Sequence, residues 1–235
     1  MIELLEKPQT QPKVFECSLE IIYEDQEIAV INKPAGLSVS GNAYKTIYNA
    51  LPFNLKKSNS VDSLPWPTPV HRLDSQTSGL LLIAKTKTAQ IELGNQFSKH
   101  TIQKKYYAIV IGKVHTNQTI NLPIETKEAK TSFEIIKVIN SLKYEDLSYL
   151  KVSPKTGRTH QIRIHLASIG HPIFGDKLYG NKETLHKGKG LFLCAAELKF
   201  LHPKTFEIIE FKIEIPQKFN SMLVREKRRW NTYNL

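Results

Sequence analysis

Cysteine is scarce in this chain, acidic residues are outnumbered, and long apolar runs are missing; each shortage excludes something. Only Cys17 and Cys194 are present, far apart and in no CxxC pair. Neither a disulfide framework nor a cysteine zinc site is expected, and a reducing, cytoplasmic setting fits. The start, Met1 to Glu6, holds two acids and no apolar stretch, which does not read as a secretory signal. Apolar runs such as Tyr106 to Ile111 fall far below the roughly 18 residues of a membrane span, so no membrane partner is expected. Cofactor signatures are missing too. Gly36-Leu37-Ser38-Val39-Ser40 lacks the last glycine of a nucleophile elbow. Gly188-Lys189-Gly190 opens neither a P-loop nor a dinucleotide fingerprint. His160 and His165 stand five apart, on different faces of a helix, and no HExxH occurs. No metal, nucleotide or flavin cofactor is expected.

What is present is positive charge. Against 22 Asp plus Glu stand 33 Lys plus Arg, a formal +11 over 235 residues. That excess points to a polyanion, nucleic acid before an anionic membrane. The length suits one large domain with its own core. The charge is clustered. Lys99, Lys104, Lys105 and Lys113 occur in a stretch with no acid, and Arg225, Lys227, Arg228 and Arg229 crowd beside Trp230. Such clusters also serve as solvated faces.

Residues 1–18, with Pro8 and Pro12, read as a flexible lead-in, leaving 19–235 as the domain with a basic C-terminal segment. Ile21 to Tyr23 and Ile28 to Ile31 flank Asp25-Gln26 as a hairpin does, and Lys33-Pro34-Ala35-Gly36 ends the second strand in a turn. Four prolines between 52 and 70 predict a long surface loop. Leu80 to Ala84 reads as a buried strand, and Ala89, Leu93 and Phe97 place a helix over 87–98. Strand patterns follow at 104–114, 131–139, 145–153, 191–201 and 207–216. A short helix should begin after Thr159 as its N-cap and stop at Gly170. Many strands with three or four helices predict an α+β fold with a largely antiparallel, mixed sheet.

Two polar segments could carry chemistry. In His71-Arg72-Leu73-Asp74-Ser75-Gln76-Thr77-Ser78-Gly79 a carboxylate and an arginine stand at the mouth of a buried strand. The same spacing suits an aspartate that merely caps its own turn. Gly157 to His165 gathers hydrogen-bond donors on the first turn of a helix, as an anion site or a solvated amphipathic helix would.

The segments His71 to Gly79 and Gly157 to Gly180 (GRTHQIRIHLASIGHPIFGDKLYG) closely resemble the two signature motifs of the RluA-like family of RNA pseudouridine synthases. Tyr23 to Gly36 (YEDQEIAVINKPAG) and Lys104 to Val110 (KKYYAIV) agree, so the resemblance runs in order from about Leu19 to Pro216. It implies an isomerase that cuts the uridine glycosidic bond at N1, turns the uracil and joins C5 to C1′, with no metal or organic cofactor. Asp74 matches the essential aspartate; attack at C1′, addition to the ring and removal of a sugar proton all remain open to it. Arg163 matches the arginine that pairs with that aspartate. Tyr106 matches the tyrosine lying against the target base, with Tyr107 turned to the opposite face. Arg72 matches the arginine that fills the gap left by an extruded base. The implied partner is RNA, either a ribosomal or a transfer RNA stem-loop, bound by a monomer. About 18 residues before Leu19 are too few for the S4-type RNA-binding module that many relatives carry, so RNA affinity is expected to fall on 52–70, 99–113 and the basic C-terminus. An RNA chaperone without turnover and a hydrolase releasing uracil are the competing classes.

Overall fold

The structure is a computed structural model that describes residues 13–180 and 189–233. Residues 1–12 of the expected lead-in, and Gly188, lie outside the described residues. Regular structure begins with a hairpin, β1 (Glu20–Glu24) and β2 (Ile28–Lys33). The turn between them is held by Asp25, whose Oδ1 accepts from the backbone N–H groups of Glu27 and Ile28, both at 2.7 Å.

The chain then forms α1 (Ile47–Asn54), β3 (Ser63–Pro69), β4 (Ser78–Thr86), α2 (Lys87–Ser98), β5 (Gln103–Ile111), β6 (Gln118–Ile120), β7 (Thr131–Ser141), β8 (Glu145–Pro154), α3 (Gln161–Ser168), β9 (Leu193–Leu201), β10 (Ile208–Lys212) and α4 (Gln217–Tyr233). These strands make one sheet in the order β1-β2-β4-β9-β5-β8-β7-β6, with β3 beside β4 and β10 beside β9. Only β4 and β9 run parallel, so the sheet is mixed but largely antiparallel, as expected.

Side-chain alternation explains the apolar runs. Ile28 and Val30 with Leu80, Leu82 and Ala84 face one layer, where they meet Ala89 and Leu93 of α2. Ala29 and Ile31 with Leu81 and Ile83 face the other, which holds residues of α1, α3 and α4. A strand covered on both faces needs apolar residues at every position.

Two expectations are corrected, and one segment takes a structure that the sequence had not assigned. The proline-rich stretch 52–70 is not one loop. Pro52 falls inside α1, and Pro65, Pro67 and Pro69 belong to β3, which pairs irregularly with β4. Proline lacks the N–H of a central strand but is tolerated where one edge needs no donor. The basic C-terminus is helix α4, anchored by buried Phe219, Met222 and Leu223. Finally, α3 is capped at His160 rather than Thr159, in the left-handed conformation with φ 56°.

Gly79 shows why the start of β4 has its sequence. Its φ is +120°, and a Cβ there would lie 2.1 Å from the Ala195 carbonyl oxygen. Only glycine lets β4 approach β9 so closely, directly behind the loop that carries Asp74.

Candidate active site

The loop before β4, the start of β5 and the segment joining β8 to α3 enclose a cleft of about 240 Å³. Arg72, Asp74, Tyr106 and Arg163, four positions singled out in the sequence, all line it. The structure thus brings together residues up to 91 positions apart, from Arg72 to Arg163.

Asp74 is set by the loop beneath it. Its backbone carbonyl accepts from Thr77 N at 3.0 Å, and Ser75 O accepts from Gly36 N at 2.7 Å. Under this turn lies Lys33, fully buried, donating from Nζ to the carbonyls of Pro34 (2.8 Å), Thr77 (2.9 Å) and Ser75 (3.1 Å). Burial pushes the Lys33 ammonium down to about 8, while the Asp74 charge pulls the other way. The turn reading of Asp74 therefore holds for its backbone, but its carboxylate is directed elsewhere.

That carboxylate meets Arg163, whose Nη1 lies 3.2 Å from Asp74 Oδ2. Asp176 fixes the arginine from behind, accepting from Nε at 2.7 Å and from Nη2 at 2.8 Å. Asp176 Oδ1 also accepts from the backbone N–H groups of Leu178 and Tyr179. Burial works against both charges, yet their mutual attraction and these bonds hold Asp176 below the usual carboxylate range and Arg163 above its own. The consequence is geometric. The two-pronged grip belongs to Asp176, and Asp74 receives one bond, leaving Oδ1 unclaimed by the guanidinium. A carboxylate gripped by the guanidinium through both oxygens would be a structural pair; one that receives a single bond from it is oriented and still free to react.

Tyr106 is buried in the cleft wall. Burial first, then the neighbouring Asp74 and Cys194, push its phenol upward, so it stands as O–H at neutral pH. Tyr107 turns to the other face and donates to Glu197 Oε1 at 2.6 Å, as strand alternation requires. Arg72 is exposed, and its guanidinium has no hydrogen bond or ion pair among the described residues. Lys104 of β5 also lines the cleft, its ammonium 5.6 Å from the Phe97 ring centre and pushed down by burial. His71 accepts from Leu82 N at 3.0 Å, and burial with the nearby Lys104 charge pushes it down to about 3. It is a neutral structural bracket for β4.

Gln161 ties the opposite wall together. Its Oε1 accepts from Thr156 Oγ1 and Arg158 N, and its Nε2 donates to Lys130 O and Thr131 Oγ1. His165 is fully buried with Nε2 2.9 Å from Leu122 O, whereas His160 lines the cleft. They were expected on different faces of one helix; only His165 is in α3, and His160 precedes it. Among the described residues, no three His, Cys, Asp or Glu side chains converge as a metal site would need.

The comparisons with known proteins fit this site. Residues 27–168, which include Asp74, Tyr106 and Arg163, match the family model described as RNA pseudouridylate synthase. The chain belongs to the RNA pseudouridine synthase family. A protein of Aquifex aeolicus named "Uncharacterized RNA pseudouridine synthase" is 39% identical, across 93% of this chain and 77% of that protein. "Ribosomal large subunit pseudouridine synthase D" of Zymomonas mobilis is 34% identical, across 85% of this chain and 70% of its own length. The solved structure of "Human RNA Pseudouridylate Synthase Domain Containing 1" superposes with a TM-score of 0.69 at 24% identity, covering 85% of this chain and 84% of that one. That likeness shows the pseudouridine synthase fold. As a family member, the chain is an isomerase whose substrate is RNA. No helix among the described residues is long and apolar enough to cross a membrane.

Four further residues of the site carried no assignment in the sequence reading. Asp176 and Tyr179 lie inside the quoted GDKLYG run, and His160 and Lys33 lie in THQIR and NKPAG. The only available signal was their membership of those segments. Nothing in local spacing announces that Asp176 backs an arginine 13 residues earlier.

Proposed function

We propose that this pseudouridine synthase isomerises particular uridines in structured RNA through the carboxylate of Asp74. The observation that carries this reading is the one-sided hold on Asp74 described above, at the wall of a cleft large enough for a single base. A uridine in a stem must leave the stack to reach it, at a cost of a few kcal/mol. Arg72, exposed and without a side-chain partner among the described residues, is suited to occupying the vacated place. Tyr106 offers a ring face to the extruded uracil, and Arg163 orients the aspartate.

A large-subunit ribosomal RNA target is supported by the relatives named for that substrate. A transfer RNA stem-loop meets the same requirement for an extractable uridine. One catalytic domain over 19–235 is supported by the single sheet and by α4 sharing its core. Free Cys17 and Cys194 suit a reducing cytoplasm.

The test is tritium release from RNA labelled at uridine C5, followed by pseudouridine mapping across total RNA with and without the gene. Release with new pseudouridine is expected. Free uracil among the products would instead reveal a hydrolase, and no release from any cellular RNA would overturn the enzyme reading.

The surfaces for RNA are narrower than the charge clusters suggested. Lys105 pairs with Glu197 at 3.2 Å. Arg225 and Arg229 both approach Glu226, a buried carboxylate of α4 that also accepts from Ser141 Oγ at 2.8 Å. Deleting 225–229 would therefore damage the fold as well as remove charge. Lys227 and Arg228 are exposed and have no such role. Replacing both by Gln is expected to weaken RNA binding and reduce the log–log salt slope by up to about 1.8, near 0.9 per lost phosphate contact. An unchanged slope would make this face of α4 merely solvated.

A further inference from the structure

His160 breaks two local rules at once. It is a non-glycine residue at φ 56°, a region that few residues other than glycine enter, although histidine, like asparagine and aspartate, does so more often than most. It also occupies the N-cap of α3 without making a side-chain cap, although Ser, Thr, Asp or Asn would make one. A strained backbone and a forgone cap persist when the surrounding structure needs the side chain elsewhere. Here the imidazole is in the cleft. Its Nδ1 lies 3.0 Å from the Tyr179 hydroxyl, and its Nε2 lies 3.7 Å from Asp74 Oδ1.

That oxygen is the one Arg163 leaves free. The surrounding contacts close a ring of five residues. Asp74 meets Arg163, Arg163 is gripped by Asp176, and Asp176 accepts from the backbone of Tyr179. The Tyr179 ring lies under the Arg163 guanidinium at 5.1 Å, and its hydroxyl reaches back to His160. The position of His160 is thus determined from the same residues that fix the arginine.

The ring also selects a tautomer. If the Tyr179 hydroxyl accepted from Nδ1, the neutral imidazole would aim the lone pair of Nε2 at a carboxylate oxygen, which is repulsive. If the hydroxyl donates to Nδ1, Nε2 carries the hydrogen and points it at Asp74 Oδ1, which is attractive. At 3.7 Å this contact is longer than a formed hydrogen bond, as catalytic contacts commonly are before substrate binds.

We infer that His160 is a positioning residue for the pseudouridine synthase reaction: held by Tyr179 with its hydrogen on Nε2, it fixes the plane of the Asp74 carboxylate through Oδ1. This rests on the reading of Asp74 as the reacting group. Arg163 alone would leave the carboxylate free to turn about its Cβ–Cγ bond. A second donor on the other oxygen removes that freedom while leaving Oδ1 only loosely held, so it can still reach the ribose or the ring.

The local rule-breaking supplies a test that separates positioning from structure. His160→Asn suits the left-handed backbone better but is too short to span Tyr179 and Asp74. We expect its melting temperature to match or exceed that of the wild type, while kcat for tritium release falls about 100-fold with KM changed less than threefold. His160→Gln, long enough to present a donor, should recover a tenfold or greater part of that loss. Tyr179→Phe should lower kcat in the same direction. Nitrogen NMR of the imidazole reads the arrangement without activity. The wild type should show hydrogen on Nε2, and Tyr179→Phe a mixture of tautomers.

A wild-type ring with hydrogen on Nδ1 and none on Nε2 overturns the inference whether or not the RNA assay works. So does a His160→Asn variant of full kcat, or one whose loss lies in KM, or one that loses kcat and melting temperature together without recovery by Gln. Failure of the wild type to release tritium would instead strike the proposed function, and the tautomer measurement would still decide the ring.

Discussion

Asp74→Asn is expected to lower kcat for tritium release by about 10⁴-fold or more, with the protein still folded. Asparagine keeps the shape of the side chain and removes the charge on which every route open to this residue depends. Little else should change. Arg163 keeps both of its bonds to Asp176, so its guanidinium is not left without an acceptor when Asp74 is neutral. The fold loses the 3.2 Å charged contact with Arg163, which an amide oxygen can still partly satisfy, and the longer 3.7 Å approach of His160 Nε2. Such a loss is worth about 1–2 kcal/mol, or a few degrees in melting temperature for a chain of this size. RNA affinity should be retained, since phosphate contacts dominate it. A folded Asp74→Asn protein that releases label at more than a hundredth of the wild-type rate would remove Asp74 from the chemistry.

The elements legible in the sequence were those with a clean period. The hairpin around Asp25-Gln26, the helix from Lys87 to Ser98 and the buried strand containing Leu80 to Ala84 all fall where the residues place them. Their patterns are local and nothing in the tertiary structure opposes them. The failures have physical causes. Prolines at 65, 67 and 69 argue against a strand, but β3 borders β4 with an interrupted register, so the missing donors leave few bonds unmade. Thr159 is the better N-cap by propensity, but α3 is capped one residue later at His160, whose side chain makes no cap and meets Tyr179 instead. The basic C-terminus hides its apolar stripe of Phe219, Met222 and Leu223 among charges, and Glu226 is buried where sequence shows only one acid in a basic run.

The site was legible unevenly. Spacing alone placed Asp74 and Arg163 in polar segments without choosing between a cap and a reacting group, and the family resemblance made that choice. The residues supporting them were not legible. Asp176, Tyr179 and Lys33 act across separations that only the folded chain closes. Sequence named residues that line the cleft and passed over those that hold them.

Lys33→Met is expected to show how much rests on that support. Methionine fills nearly the same space but donates nothing, so the carbonyls of Pro34, Ser75 and Thr77 lose their shared partner in a place closed to water. Leaving these buried acceptors unsatisfied costs about 1–3 kcal/mol, or a few degrees in melting temperature. Activity should fall further than stability alone explains, because Ser75 and Thr77 belong to the turn that aims Asp74. The pH dependence of the wild type carries the same signature. With its ammonium pushed down to about 8 from an ordinary 10.5, Lys33 loses a proton, and with it one of three donors, as pH rises through 8. Turnover should decline on that side. Stability moves the other way: between pH 8 and 10.5 the unfolded chain binds a proton that the folded chain has released, so this group favours folding more as pH rises. Falling kcat against a melting temperature that this residue does not lower distinguishes Lys33 from general alkaline unfolding. In Lys33→Met the alkaline decline near pH 8 should disappear from the residual activity. A decline that persists unchanged in the variant would assign it to another group.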